Sequence, residues 1–302
     1  MNRAKAWLVA SRPFIIPFWL AGTAMGVAFA GWDTQAWLAA SFIVVLIGLS
    51  AHYINNWRDY TKGLDKLEEG SKPKVYTAAN QILPTGILSV EDMQMAAVFC
   101  LVIAFIIAGV FLRRIDQILM FLAGLTAAIG YTDFFKPKGF GEIALFLGHG
   151  GVAPFAYTLV KPFDVTALGL WVINGMTIAL LYTIDQLPDV ETDFMRRVKS
   201  LAYYVMNAEI RPSQIIWFAA SAVTVLSVCM VVLGWMPKEI IYIAFTLPLW
   251  HICGIVIDND FEKGVFIGLI GYFLIMVIPV SYTHLRAHET PEHLVCRLLL
   301  EK

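Results

Sequence analysis

The chain has 302 residues, of which 59% are hydrophobic and 15% are charged, and its mean hydropathy is +0.69. Soluble domains contain about 45–50% apolar and about 25% charged residues, so this composition excludes an ordinary soluble domain and indicates a membrane protein. The formal net charge of -1, without a block of basic residues, argues against a nucleic-acid partner.

The apolar residues are concentrated in runs long enough to cross about 30 Å of hydrocarbon as a helix. We therefore predict an all-α fold, a multi-pass transmembrane helical bundle of about nine helices arranged as two four-helix units plus one. The first run follows Arg12 and Pro13 and is long enough to span, so we expect no cleavable signal peptide. In chain order the predicted spans cover residues 14–30, 36–54, 94–112, 116–132, 141–160, 165–184, 214–234, 238–256 and 264–279.

Basic residues predict the orientation of these spans. With the N-terminus inside, most lysines and arginines fall in inside loops, whereas the outside loops hold Arg113, Arg114, Lys161 and Lys238. This bias is typical of the cytoplasmic side of a membrane. We predict a protein of the cytoplasmic (inner) membrane whose two longest loops, after spans two and six, face the cytoplasm.

The first of these loops opens with a polar segment that continues directly from span two. If the helix extends inward, Asn55 and Asp59 lie at positions i and i+4 on one helix face. Gly63 is expected to end or bend the helix. Asp65 can then fold back beside Asp59, which gives a first acidic cluster.

The second cluster follows span six. Asp185, Asp189 and Asp193 are spaced i, i+4 and i+8, and Pro188 is expected to kink the helix between them. Two carboxylates about 5 Å apart repel by about 3 kcal/mol at an effective dielectric of about 20. A divalent cation is the simplest way to offset that repulsion.

Magnesium suits these ligands because it prefers oxygen and is usually held by one or two carboxylates plus substrate phosphates. Nearby basic side chains would neutralise the remaining phosphate charge. The predicted metal ligands are Asp59, Asp65, Asp185, Asp189 and Asp193, and the nearby basic residues are Arg58, Lys62, Arg196, Arg197 and Lys199. The alternative is that these acids only cap helices or solvate loops.

The segment from Asn55 to Asp65 resembles the first motif of the UbiA superfamily of intramembrane aromatic prenyltransferases. Its Gly-x-Asp ending is typical of the naphthoate branch, which prenylates 1,4-dihydroxy-2-naphthoate in menaquinone synthesis. Residues 186–193 resemble the second motif of that branch. Further segments that resemble the family are Arg12-Pro13, Leu83-Pro84-Thr85-Gly86, and Tyr131-Thr132 followed by Gly139-Phe140-Gly141-Glu142.

The resemblance implies an enzyme that uses Mg²⁺ to transfer a polyprenyl chain from its diphosphate to an aromatic acceptor, here 1,4-dihydroxy-2-naphthoate. The implied partners are these two substrates and the lipid bilayer, and no oligomeric state follows. The implied catalytic residues are Asp59, Asp65, Asp189 and Asp193. The residues predicted to bind substrate are Arg12, Asn55, Arg58, Lys62, Tyr131, Lys138, Arg197 and Lys199.

Several positions depart from the family pattern. Asn56 stands where the first motif has Asp, which removes a carboxylate, and Asp185 stands where the second has Asn, which returns one. The connection after Tyr131 is shorter than in the family, so either Lys136 or Lys138 is a candidate to contact phosphate. His149, within Gly-His-Gly-Gly, is a candidate acceptor contact or a packing residue.

Other functions remain open at this point. Within the superfamily, the acceptor can instead be 4-hydroxybenzoate or a glycerol-ether lipid precursor. A secondary transporter is the main reading from another class, but transporter sites lie near the bilayer midplane, whereas these acids lie at the inner ends of spans. A third reading is an inactive relative that serves as a scaffold.

The end of the chain reads as something other than native protein. Residues 280–302, from Val280 to Lys302, match the translation of a transposase-type sequencing adapter. We therefore predict a membrane domain over residues 1–279 and a non-native tail over 280–302, and exclude the tail from reasoning about function. The alternative is a genuine amphipathic tail.

Overall fold

The structure is a computed structural model that describes residues 2–63, 82–187, 190 and 200–287, with side chains up to residue 281. Within these ranges the chain is helical and contains no strand, which confirms the all-α prediction. Of the predicted site residues, Asp65, Asp189, Asp193, Arg197 and Lys199 lie outside the described residues.

The described residues form twelve α-helices, which are numbered here in chain order. They are α1 (Arg3–Ser11), α2 (Ile16–Ala30), α3 (Thr34–Thr61), α4 (Val90–Phe111), α5 (Ile115–Gly130), α6 (Gly141–Gly148), α7 (Val152–Val160), α8 (Val165–Asp185), α9 (Leu201–Asn207), α10 (Pro212–Val232), α11 (Leu247–Ile257) and α12 (Phe261–Ala287). Shorter 3₁₀ turns cover Pro13–Ile15, Lys136–Lys138 and Lys238–Thr246, and a π-helical turn covers Tyr131–Phe135.

Nine segments of the described chain are long and apolar enough to cross a membrane. They coincide with the nine predicted spans, although the first begins at Arg3 and so includes α1. The eighth begins with the 3₁₀ turn Lys238–Thr246 rather than with an α-helix. Large apolar side chains on the outer face of α4, such as Phe99 and Ile106, are exposed, as expected for a surface that lipid covers.

The first span is broken between α1 and α2. Arg12 has a left-handed backbone with φ 49°, and its N–H donates to Val9 O at the end of α1. Pro13 then starts the 3₁₀ turn, since proline lacks the N–H that a continuous helix would need. The break therefore places Arg12 at a corner of the chain, where its side chain reaches the interior of the bundle.

The second span is the long helix α3. Asp33 caps its start by accepting the Ala36 N–H at 2.9 Å. The 28 residues of α3 correspond to about 42 Å, which exceeds the hydrocarbon thickness of about 30 Å. The prediction that this helix continues beyond the apolar span through Asn55 and Asp59 is confirmed, and Gly63 follows its end with φ 69°.

The spans pack into a closed bundle. Helix α3 packs on α2, α4 and α5, and α8 packs on α6, α7 and α10. The last span closes the ring, because α12 contacts both α11 and α2. Glycines allow the closest approaches, as in other membrane helix pairs: a Cβ added at Gly26 in α2 would lie 2.0 Å from the Ala153 carbonyl oxygen in α7.

The predicted junction at residue 279 falls inside α12, whose helical backbone runs without interruption to Ala287. A helix that crosses the junction is compatible with either origin of the tail. The assignment of residues 280–302 to a non-native tail stays a prediction.

Candidate active site

A cavity of about 400 Å³ lies inside the bundle, between α2, α3, α5, α6, α7, α8 and α12. This volume is in the range of pockets that hold small molecules. Most of its lining is aliphatic or aromatic. Its charged and hydrogen-bonding residues include Arg12, His52, Asn55, Asp59, Tyr131, Lys136, His149, Asn174, Tyr182, Asp185 and Gln186.

Helical periodicity explains how Asp59 and Asp185, one described acid from each predicted cluster, come to line the same cavity. On α3 the lining residues include Gly48, His52, Asn55 and Asp59, which are three or four residues apart and share one face. Spans two and six cross the membrane in the same direction, so the C-terminal ends of α3 and α8 lie on the same side. Asp59 and Asp185 therefore line the same end of the cavity, called here its acidic end.

Asp59 is more deeply buried than Asp185, the other described acid of the cavity lining, and has 3% of its surface exposed. Its Oδ2 accepts a hydrogen bond from Lys136 Nζ at 3.0 Å, which forms an ion pair between α3 and the connection after α5. Its Oδ1 is buried and finds no hydrogen-bond partner among the described residues. A buried acceptor left in this state costs about 1–3 kcal/mol, more when it is charged, so this oxygen is suited to ligate a cation.

The structure distinguishes the two lysines that the sequence left open. The 3₁₀ turn Lys136–Lys138 directs Lys136 into the cavity towards Asp59. Lys138 Nζ instead lies 3.7 Å from the centre of the Phe134 ring, a cation–π contact, and Lys138 is not among the described residues that line the cavity. The geometry therefore favours Lys136 as the lysine that can reach a bound phosphate.

Arg58 and Lys62, both predicted to bind substrate, share one acidic partner. Lys62 Nζ donates to Asp133 Oδ1 at 2.7 Å and to the Thr132 carbonyl at 3.3 Å, and Arg58 forms an ion pair with the same Asp133. Neither cation belongs to the described lining of the cavity. Asp133 was not among the predicted site residues, and its only signal in the sequence is an acid directly after Tyr131 and Thr132, which resemble a family motif.

The neighbouring asparagines of the first motif face different ways. Asn55 lines the cavity, and its Oδ1 accepts a hydrogen bond from Thr132 Oγ1 at 2.9 Å. Asn56 points towards α1, where its Nδ2 donates to the Ala10 carbonyl at 3.5 Å and its Oδ1 accepts from Arg12. The replacement of the usual Asp by Asn56 therefore leaves the described lining of the cavity unchanged.

Two tyrosines meet above the acidic end of the cavity. The hydroxyl oxygens of Tyr131 and Tyr182 are 2.6 Å apart, and their rings are edge to face. Gly141 makes this contact possible, because an added Cβ would lie 2.6 Å from the Tyr182 hydroxyl. The pair joins the connection after α5 to α8, and thus the two halves of the chain.

The sequence profile of the UbiA prenyltransferase family matches residues 14–266, which include spans two to eight, most of the first span and the start of the ninth.

The chain belongs to the UbiA prenyltransferase family.

Three curated relatives of this UbiA-family protein are each named 1,4-dihydroxy-2-naphthoate octaprenyltransferase. The relative from Mycobacterium leprae (strain TN) is 29% identical over 242 residues, which cover 76% of this chain and 79% of the relative. The relative from Escherichia coli (strain K12) is 24% identical over 215 residues, which cover 64% of this chain and 66% of the relative. These names agree with the naphthoate branch that the motifs predicted.

Solved structures of UbiA homologues share the fold. The homologue from Archaeoglobus fulgidus bound to GPP and Mg²⁺ matches with a TM-score of 0.65 at 14% identity, over 92% of this chain and 98% of that chain. The apo structure from Aeropyrum pernix K1 matches with a TM-score of 0.65 at 15% identity, over 90% and 97% of the two chains. The present UbiA-family chain is thus a multi-pass membrane prenyltransferase.

The predicted metal site of this prenyltransferase lies only partly within the described residues. Within the part of the chain that the structure describes, no three His, Cys, Asp or Glu residues are grouped to hold an ion. Three of the five predicted ligands, Asp65, Asp189 and Asp193, are outside that part. The unpartnered oxygen of Asp59 and the position of Asp185 at the same cavity end nevertheless fit a hard divalent cation.

Proposed function

We propose that this protein catalyses the Mg²⁺-dependent transfer of a polyprenyl chain from polyprenyl diphosphate to 1,4-dihydroxy-2-naphthoate in menaquinone biosynthesis. One observation carries the proposal: a single apolar cavity ends at Asp59, whose buried Oδ1 has no partner in the described structure, and at Asp185. The three relatives named as octaprenyltransferases of this acceptor support the same substrate.

The acidic end of the cavity is proposed to hold the diphosphate. Asp59 and Asp185 would ligate magnesium there, together with Asp65, Asp189 and Asp193 of the two motifs. Bound magnesium stabilises the negative charge that develops on a departing diphosphate. Lys136 is placed to share that charge, because its ammonium already lies in the cavity beside Asp59.

Arg12 lines the cavity as Lys136 does. The interruption of the helix at Pro13 directs its side chain into the cavity. We assign it to the diphosphate as well, in agreement with its motif. Arg58 and Lys62 form ion pairs with Asp133 outside the cavity lining. They are therefore proposed to raise the electrostatic potential near the acidic end of the cavity rather than to contact the diphosphate. Arg197 and Lys199 stay predictions for phosphate contact, because they lie outside the described residues.

The chemistry beside the diphosphate needs a dry pocket. Ionisation of an allylic carbon–oxygen bond leaves a carbocation that water would trap, and aromatic faces stabilise a cation without reacting with it. Tyr131 and Tyr182 supply such faces, and their hydroxyl groups satisfy each other. The apolar remainder of the cavity suits an isoprenoid chain, whose own hydrophobicity explains why the enzyme lies inside the membrane.

We further propose that the protein lies in the cytoplasmic membrane with its acidic cavity end on the cytoplasmic side. The excess of lysine and arginine in the loops on that side supports this orientation. The acceptor and magnesium would then enter from the cytoplasmic side.

The test is a transfer assay on purified protein in detergent or nanodiscs. Radiolabelled polyprenyl diphosphate is mixed with Mg²⁺ and with dihydroxynaphthoate, 4-hydroxybenzoate or a glycerol-ether precursor. We expect a labelled prenylated product, separated from the diphosphate by chromatography, with dihydroxynaphthoate, and no such product after EDTA is added in excess. Transfer to another acceptor would move the enzyme to a different branch, and absence of transfer to any acceptor by folded protein would refute the proposal.

A further inference from the structure

Two histidines and a tryptophan form a polar cluster in the otherwise apolar part of the cavity. His52, His149 and Trp19 all line it, from α3, the α6–α7 connection and α2 respectively. His52 precedes Asp59 by seven residues on the same face of α3, which corresponds to about 10 Å along the helix axis. The cluster is therefore about two helical turns deeper in the membrane than the acidic end.

One hydrogen bond fixes the state of His149. Trp19 Nε1–H donates to His149 Nε2 at 3.1 Å. An imidazole nitrogen accepts a hydrogen bond only when it carries no proton, so His149 is neutral and holds its proton on Nδ1. His149 Nε2 and the indole N–H are thus hydrogen-bonded to each other, so neither atom is available to a substrate.

His52 is in a different position. Its ring stacks on Trp19, with centroids 5.5 Å apart and planes inclined by 23°. Its Nε2 is buried and has no hydrogen-bond partner within the ranges that the structure describes. A buried polar atom in this state is normally matched by water or by a ligand, and this one lies in the wall of a cavity large enough for a substrate.

A glycine leaves room for the Trp19 ring on which His52 stacks. Gly48 lies one turn before His52 on α3, and a Cβ added there would lie 2.2 Å from the Trp19 ring. Trp19 is only 4% exposed. The indole is therefore confined between Gly48, His52 and His149, and it fixes the direction of the His52 ring.

We propose that His52 Nε2 forms a hydrogen bond with a ring hydroxyl of the aromatic acceptor and thereby selects hydroxylated acceptors and orients them. This inference rests on the proposed function. The prenyl chain has no polar group to offer, and the diphosphate belongs to the acidic end, so the acceptor is the substrate whose hydroxyl groups fit. A hydroxyl group that donates a hydrogen bond to a neutral imidazole also raises the electron density of the acceptor's own aromatic ring, which favours attack of that ring on an allylic cation.

The experiment is a cycle between enzyme and acceptor. Wild type and His52→Phe, which keeps a ring to stack on Trp19, are assayed with 1,4-dihydroxy-2-naphthoate and with each of its two monohydroxy analogues. We expect His52→Phe to lower kcat/KM for the full acceptor by about tenfold to hundredfold. We expect the KM for polyprenyl diphosphate to change by less than about twofold. Removal of the acceptor hydroxyl that contacts His52 should lower kcat/KM strongly in wild type and only slightly in the variant.

His251 offers a matched control. It stacks on Trp217 in the same way, with centroids 5.8 Å apart and planes inclined by 22°, but it is exposed and is not among the described residues of the cavity lining. His251→Phe should behave as wild type with every acceptor. His52→Gln, whose amide can reach the same hydroxyl, should retain part of the hydroxyl preference.

The possible outcomes separate the two proposals. Suppose that wild type prenylates dihydroxynaphthoate, and that folded His52→Phe and His52→Gln lose as much kcat/KM as wild type does when either acceptor hydroxyl is removed. Only the role of His52 is then refuted, and its Nε2 is hydrogen-bonded to water instead. The role of His52 would also be refuted if His52→Phe impaired the use of polyprenyl diphosphate as much as the use of the acceptor. If wild type neither prenylates nor binds any aromatic acceptor in calorimetry with a non-ionisable prenyl diphosphate analogue, both proposals fail.

Discussion

At the scale of single residues, Asp59 combines two features on one buried carboxylate. One oxygen is held by Lys136, while the other has no hydrogen-bond partner among the described residues. The sequence placed Asp59 correctly on the inward end of α3, because helical periodicity alone predicts which positions share a face. The ion pair with Lys136 was not predictable, since it joins residues that are distant in the chain.

Asp59→Asn should abolish most transfer while leaving the protein folded. The amide has nearly the same shape but lacks the charge that ligates magnesium and pairs with Lys136, so we expect kcat to fall by about hundredfold or more. The assay is initial-rate transfer, with thermal unfolding measured alongside. Asp33→Asn, at the opposite end of the same helix, is the control and should keep wild-type activity.

Lys136 and Lys138 should differ in their effects on the diphosphate substrate. Lys136→Met removes the ammonium that lies beside Asp59, so we expect the KM for polyprenyl diphosphate to rise by about tenfold or more. Lys138→Met loses only the contact with Phe134, and its KM should stay within about twofold of wild type. A larger effect from Lys138→Met would show that the second lysine contacts the phosphate.

At the scale of elements, the sequence predicted what hydropathy and periodicity encode and missed what packing decides. The nine spans, the inward extension of α3 and its end near Gly63 follow from apolar length and from glycine. Helix α1 was missed as part of the first span, because its mean hydropathy is low and Arg12-Pro13 suggested a boundary. The 3₁₀ turn Lys238–Thr246 is rich in β-branched and aromatic residues, whose helix propensity is low, but its apolar length alone predicted an ordinary span.

The turn that carries Lys136 illustrates the same limit. A one-residue difference in how the connection after α5 winds would exchange the directions of Lys136 and Lys138. The π-helical turn Tyr131–Phe135 immediately before it sets that phase. No composition rule predicts such a turn, and the choice between the lysines could therefore be made only from the structure.

Gly141→Ala tests the contact between α6 and α8. The added methyl group would lie 2.6 Å from the Tyr182 hydroxyl, so Tyr182 must move and its bond to Tyr131 must lengthen. We expect kcat/KM to fall by about tenfold, with a modest loss of thermal stability. Gly109→Ala on α4 is the control, because nothing lies within 4 Å of its added Cβ. Equal behaviour of the two variants would contradict a role for the tyrosine pair.

At the scale of the whole molecule, the inside and outside loops can be assigned by labelling. In a background without cysteine, Lys161→Cys and Asn207→Cys are introduced at exposed positions between spans five and six and between spans six and seven. A membrane-impermeant maleimide should label Lys161→Cys in intact spheroplasts and Asn207→Cys only after permeabilisation. The reverse pattern would place the acidic end of the cavity outside and overturn the proposed orientation.

The order of the spans in space was not accessible from the sequence. Apolar length identifies a span but does not say which other spans it contacts, because lipid-facing and buried faces are both apolar. The contact of α12 with α2, which closes the bundle, depends on shape alone. By contrast, the position of Asp59 and Asp185 at one end of the cavity was predictable, because both lie at the ends of spans that cross in the same direction.

The ion pair between Lys136 and Asp59 has a consequence for how the ligands load. A magnesium ion that arrives alone meets a carboxylate already balanced by an ammonium, and a diphosphate that arrives alone meets an ammonium already held by a carboxylate. If the site holds both ligands as proposed, together they would satisfy both groups. We therefore expect the two binding equilibria to be cooperative, with each ligand strengthening the other by the same factor. The proposed site would then respond weakly to free magnesium, and its occupancy would follow the supply of the prenyl donor.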